Sequence, residues 1–127
     1  MNGARRLRSN PVIAVGLCLA LTGCLTHSAQ RGVWLNSEQA NAENAEMVAR
    51  SMMPVAIDCQ SYGSASPPKY ATRIVWAPNT ENARWRWDVG DTAYMRRSAA
   101  QAASHNLKIA QSKVATDVSC AIWRSQG

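Results

Sequence analysis

The chain has no phenylalanine, only two histidines and only eight acidic residues among 127, and these scarcities narrow the classes of function open to it. Histidine is a common general base and metal ligand. Here His27 lies in a polar stretch near the start, and His105 falls on the polar face of a predicted helix, where it reads as a solvated surface residue. There is no Gly-x-Ser-x-Gly elbow, no glycine-rich phosphate loop and no metal-ligand spacing. Asp88 and Asp91 flank Gly90 and read as turn and cap residues rather than as an acid–base couple. No catalytic residue, metal or soluble cofactor is therefore expected. Long apolar runs are also missing: Val12 to Leu21 is a ten-residue uncharged stretch, against the ~20 residues that a spanning helix needs.

What surrounds that stretch is informative. Residues 1–8, MNGARRLR, carry Arg5, Arg6 and Arg8 and no acid, and polar Thr26, His27, Ser28, Gln30 and Arg31 follow the apolar run. A basic start and a short apolar centre make a signal peptide. The residues that close it, Leu21-Thr22-Gly23-Cys24, resemble the lipobox of bacterial lipoproteins, a resemblance that covers residues 1–24 alone. It implies that the Cys24 thiol carries a diacylglyceryl group and that the signal peptidase cuts before it, where small Thr22 and Gly23 fit the protease. Cys24, N-acylated as well, would then be the first residue of the mature protein and its anchor in the membrane. Leu25 in place of aspartate implies, by enteric sorting, the outer membrane facing the periplasm.

Cleavage changes the composition that bears on function. Residues 24–127 number 104 and keep eleven basic against eight acidic side chains, a formal charge of +3 rather than +6. The precursor's pI of about 9.6 therefore partly reports a discarded segment, and no nucleic-acid partner is expected. Cys18 leaves with the signal and Cys24 is acylated, so Cys59 and Cys120 remain. An even pair in an exported chain reads as a disulfide. Closing a loop across 61 positions stabilises a fold by roughly 4 kcal/mol on the chain-entropy model.

The organisation expected is a signal peptide over residues 1–23, a lipidated tether over 24–36 and one domain over 37–127. Trp34 and Leu35 end the tether and are apolar enough to dock on the domain or at the lipid interface. A helix is predicted from Ser37 to Ser51, capped by Asn36 with Gln39 completing a capping box, its core face at Met47, Val48, Ser51 and Met52, and Pro54 as its stop. A short strand follows at 55–59, then a Ser/Gly/Pro loop at 62–69. The alternation at 70–77 places Tyr70, Thr72, Ile74 and Trp76 on one side, and that at 83–89 places Ala83, Trp85, Trp87 and Val89 on one side. With the turn at 78–82 between them, these two strands read as a β-hairpin. Asp91 caps a second helix over 92–105 with a stripe of Met95, Ala99, Ala102, Ala103 and Leu107. A strand over 114–123 closes the chain, and 107–110 is either strand or helix tail. The fold class is α+β, a small antiparallel sheet with two helices closed by one disulfide.

The most distinctive motif is Arg84-Trp85-Arg86-Trp87, in a chain with five tryptophans. On a strand it separates two indoles from two guanidinia. Either the indoles fill the core and the arginines face water, or Arg84, Trp85, Arg86 and Trp87 form a recognition surface that Arg97 extends. Such a surface stacks sugar rings or grips phosphate and carboxylate groups. In the envelope the available ligands are peptidoglycan, lipopolysaccharide and other envelope proteins. The function expected is non-catalytic binding or scaffolding of such components. The alternatives are an inhibitor or immunity-type lipoprotein that guards against a lytic enzyme, inserting the loop around 60–69, and a minor cell-wall hydrolase.

Overall fold

Two side chains start the long helices as their sequence implied. Asn36 accepts from the Gln39 amide at 2.9 Å while the Gln39 side chain accepts from the Asn36 amide at 3.0 Å, and Asp91 accepts from the Tyr94 amide at 2.7 Å. The computed structural model describes residues 28–126. The signal peptide, Cys18, the lipobox with Cys24, and His27 lie outside the described residues. The elements are α1 (Ser28–Arg31), α2 (Ser37–Ala49), β1 (Met52–Tyr62), β2 (Lys69–Pro78), β3 (Trp85–Gly90), α3 (Thr92–Ser104), β4 (Lys108–Ala115) and β5 (Val118–Arg124).

The strands make two antiparallel sheets, β1–β2 and β3–β5–β4. Their inner faces share one core in which Ile57, Cys59, Ile74 and Trp76 meet Val118, Cys120 and Ile122, with Met47 of α2 added. The Cys59–Cys120 disulfide joins the two sheets through this core. The other face of the three-stranded sheet is covered by α3, where Ala102 and Leu107 pack on Ala121 and Trp123. This is the α+β fold closed by one disulfide that the sequence implied, with the strands divided between two sheets.

That division overturns the predicted hairpin: β2 pairs with β1 and β3 pairs with β5. Strands β2 and β3 each carry apolar side chains toward the core, so they stack face to face instead of sharing an edge. Trp76 and Trp85 meet edge to face, with centroids 5.5 Å apart. Asn79 makes the crossing, donating to the Ala83 carbonyl and accepting from its amide, both at 2.8 Å.

Other boundaries differ as well. Helix α2 ends at Ala49, and Ser51 at φ 55° turns the chain. Pro54 therefore does not stop the helix; it sits buried in β1 beside a bulge, where its missing amide interrupts no ladder. Val48 is 54% exposed, and the buried residues of α2 are Ala40, Glu43 and Met47. On α3 the buried pair is Ser98 and Ala102, while Ala99 and Ala103 face outward. The stretch 114–123 is two strands joined by a turn with Asp117 at φ 63°, and Val114 is 81% exposed.

Both outer edges of the β1–β2 sheet are closed. On β2, Leu35 and Thr72 exchange two backbone hydrogen bonds of 2.9 Å, and the Ile74 amide donates to Ser28 Oγ at 3.0 Å. On β1, the Gln111 side chain acts as a strand partner: its Oε1 accepts from the Ile57 amide at 2.6 Å, and its Nε2 donates to the Ile57 carbonyl at 3.5 Å. Covered edges remove a template for aggregation. The segment read as tether is thus part of the packing from Ser28 onward.

Candidate functional site

Strand alternation places Trp85, Trp87 and Val89 toward the core, where they pack as half-buried side chains at its margin. The core does not close over them. A cleft of about 630 Å³ opens between β3 and α2, with Tyr70 and Thr72 of β2 also lining it and Tyr94 of α3 at its other end. Helix α2 presents Ser37, Asn41 and Asn44 to this space. The Trp87 indole donates to Asn44 Oδ1 at 2.9 Å, which fixes both walls relative to each other. Thr72 Oγ1 is buried and has no hydrogen-bond partner.

The charged members of the lining are Arg86 and Asp88, and they are paired. Arg86 Nε donates to Asp88 Oδ2 at 2.7 Å and its Nη1 to Gln101 Oε1 at 3.0 Å. The Tyr94 hydroxyl donates to Asp88 Oδ1 at 2.9 Å. The hydrogen bond to Asp88 raises the Arg86 pKa further above its ordinary value. Burial raises the Tyr94 phenol, and its bond to Asp88 adds to that, so both groups keep their protons at neutral pH. Gly90 makes this arrangement possible: a Cβ there would lie 2.5 Å from a Tyr94 ring carbon.

The sequence-predicted recognition residues divide. Trp85, Arg86 and Trp87 line the cleft; Arg84 is exposed away from it, its amide donating to Ser125 Oγ at 2.9 Å, and Arg97 lies over the Tyr94 ring at 6.0 Å. Arg86 does not face water as the core-filling reading required; its guanidinium lies between Asp88, Gln101 and the Trp123 ring. Asp88 is an internal acceptor rather than a turn residue, whereas Asp91 is the cap that was expected. Sequence reasoning missed Asn41, Asn44, Tyr70 and Tyr94 as lining. The amides on α2 recur three positions apart and so share a helix face, but nothing local in the sequence says that β3 lies opposite that face.

His105 is exposed beyond the end of α3. No group of three or more His, Cys, Asp or Glu side chains among the described residues is placed to hold a metal, and none of their helices is long and apolar enough to cross a membrane. Comparison of the chain with protein-family models, with curated proteins and with solved structures returned no match.

Proposed function

We propose that this is a small lipid-anchored protein of the bacterial envelope, without catalytic function, whose cleft binds a neutral, hydroxyl-rich ligand of the sugar type. Peptidoglycan glycan is the ligand of that class which an envelope location offers. The lining of the cleft carries the reading: indole and phenol rings face amide side chains, and the two charges neutralise each other. A sugar ring presents an apolar C–H face to an aromatic ring and a rim of hydroxyls to amides. A phosphate ligand needs a cation whose charge is not already matched, and the Arg86 charge is neutralised by Asp88 at 2.7 Å. Thr72 Oγ1, buried and without a partner at the margin of the same cleft, adds a polar group for a water or ligand hydroxyl.

The test is co-sedimentation of the detergent-solubilised lipidated protein with peptidoglycan sacculi. Trp87→Ala and Asn41→Ala should each weaken retention about tenfold or more, on the scale of a central interface side chain. Arg84→Ala should leave it unchanged. Retention that ignores Trp87 would contradict the assignment.

The inhibitor reading draws on a separate observation, that every residue from Tyr62 at the end of β1 through the 63–68 loop to Lys69 at the start of β2 is exposed. It requires that substitutions at Ser64 and Ala65 relieve inhibition of a lytic enzyme while cleft substitutions do not.

A further inference from the structure

Ser28 is fully buried and held from three sides. Its amide donates to Glu43 Oε1 at 2.9 Å, its hydroxyl donates to Glu43 Oε2 at 3.0 Å, and the same hydroxyl accepts from the Ile74 amide at 3.0 Å. Only residues 25–27 separate it from Cys24. Four residue steps span at most ~14 Å even when fully extended. A domain of about 100 residues has a radius of gyration near ~13 Å, so a lipid on Cys24 leaves no room for the domain to stand clear of the bilayer. One face has to lie on the headgroups.

We infer that this face is the outer side of the β1–β2 sheet and that its partner is the anionic surface of the membrane that holds the Cys24 lipid. The inference rests on the lipid-anchor reading of residues 1–24. The side chains on this side suit a headgroup layer. Trp34 lies under the Arg73 guanidinium, 4.0 Å from ring centroid to Cζ, on the edge of β2 that Ser28 also occupies. Strand register puts Lys69 and Arg73 on one face with Tyr62 and Asp58 opposite them, and Lys113 reaches Asp58 from β4. Arg73 and Lys113 both pair with Asp58 and so leave one positive charge over, Lys69 adds another beside Tyr62 four positions along the strand, and Tyr62 and Val33 are 41% and 43% exposed. Trp and Tyr are enriched at membrane–water interfaces, and Lys and Arg anchor there; anionic headgroups supply the matching charge. Arg96 and Arg97 lie on α3, across the three-stranded sheet, and so belong to the far layer.

The experiment places the lipidated protein in phosphatidylethanolamine/phosphatidylglycerol vesicles whose acyl chains carry bromine, a contact quencher of indole fluorescence, and records the mass of the Cys24 peptide on the same sample. The expected result is quenching of the wild type that falls by at least half in Trp34→Phe. Quenching should also fall severalfold in Lys69→Glu, a change at an exposed position that leaves the fold intact, and stay constant in Arg96→Glu. A lipidated Cys24 with no quenching, or quenching indifferent to Trp34 and Lys69, overturns the docking and leaves the anchor standing. A Cys24 peptide without lipid overturns the anchor reading and this inference with it.

Discussion

Replacing Glu43 by alanine removes the acceptor that ties the start of the described chain to the core. Its carboxylate is 7% exposed and accepts from the Ser28 amide, the Ser28 hydroxyl and, at 3.2 Å, the Trp76 indole. The hydroxyl has another acceptor in the Ile74 carbonyl at 3.4 Å, but the Ser28 amide and the indole of fully buried Trp76 are left with none. An orphaned interior donor costs about 1–3 kcal/mol, so two of them cost about 4 kcal/mol at the middle of that range. The ion pair with Arg31, 3.6 Å long and 66% exposed on the arginine side, adds little. At about 4–8 °C per kcal/mol for a domain of this size, the melting temperature should fall by roughly 16–32 °C. Glu43→Gln keeps the shape and one acceptor oxygen, but its amide group must face either the Ser28 amide or the indole, so about half of the loss is expected. Thermal melting followed by circular dichroism measures both. A Glu43→Ala variant melting within about 4 °C of wild type, or a glutamine variant worse than alanine, would refute the reasoning.

Gly90→Ala drives a methyl group into the Tyr94 ring; displacing the ring breaks its bond to Asp88, costs about 1–3 kcal/mol as overpacking does, and should weaken cleft binding as well, as urea melts and co-sedimentation will show. Reduction of the Cys59–Cys120 bridge should cost about 4 kcal/mol, and melting unchanged by reductant would argue against its contribution. Burial raises the Asp58 carboxyl, but hydrogen bonds from Lys113 and Arg73 outweigh this and hold it below its ordinary value. Its stabilising contribution is therefore complete above the usual carboxylate range and is lost as pH falls through the folded value. Asp58→Asn should be less stable than wild type by under about 1 kcal/mol at neutral pH, given partial exposure, and the difference should shrink in urea melts as pH falls below the ordinary carboxylate range.

Capping and alternation were readable because they are local: Asn36 with Gln39, Asp91, and the inward runs at Thr72–Trp76 and Trp85–Val89 needed no knowledge of the partner. Which strands pair was not local. Two consecutive strands with apolar faces either share an edge or stack, and only the bulk of Trp76 against Trp85, seen in three dimensions, decides for stacking. The turn at Thr116–Asp117 was hidden because Val114, Thr116 and Val118 continue a single alternation in the sequence, whereas the two-residue turn switches the parity, pairing Ala115 with Val118 and Val114 with Ser119 on the other face. Glu43 carries no local signal of its role, since its partners lie 15 residues before it and 33 after. At the site, the two indoles were legible and the amide wall of α2 was not, since nothing in Asn41 or Asn44 alone tells that β3 will lie opposite.

The central claim, a cleft that takes a neutral sugar, is tested most directly by the indole N–H resonances of the protein titrated with soluble peptidoglycan fragments. Trp87, whose indole N–H is bound to Asn44 at the cleft, and Trp85 should shift with saturation. Trp123, buried beneath α3, should not. No shift at Trp85 and Trp87, or shifts confined to Trp34 or Trp123, would contradict the account.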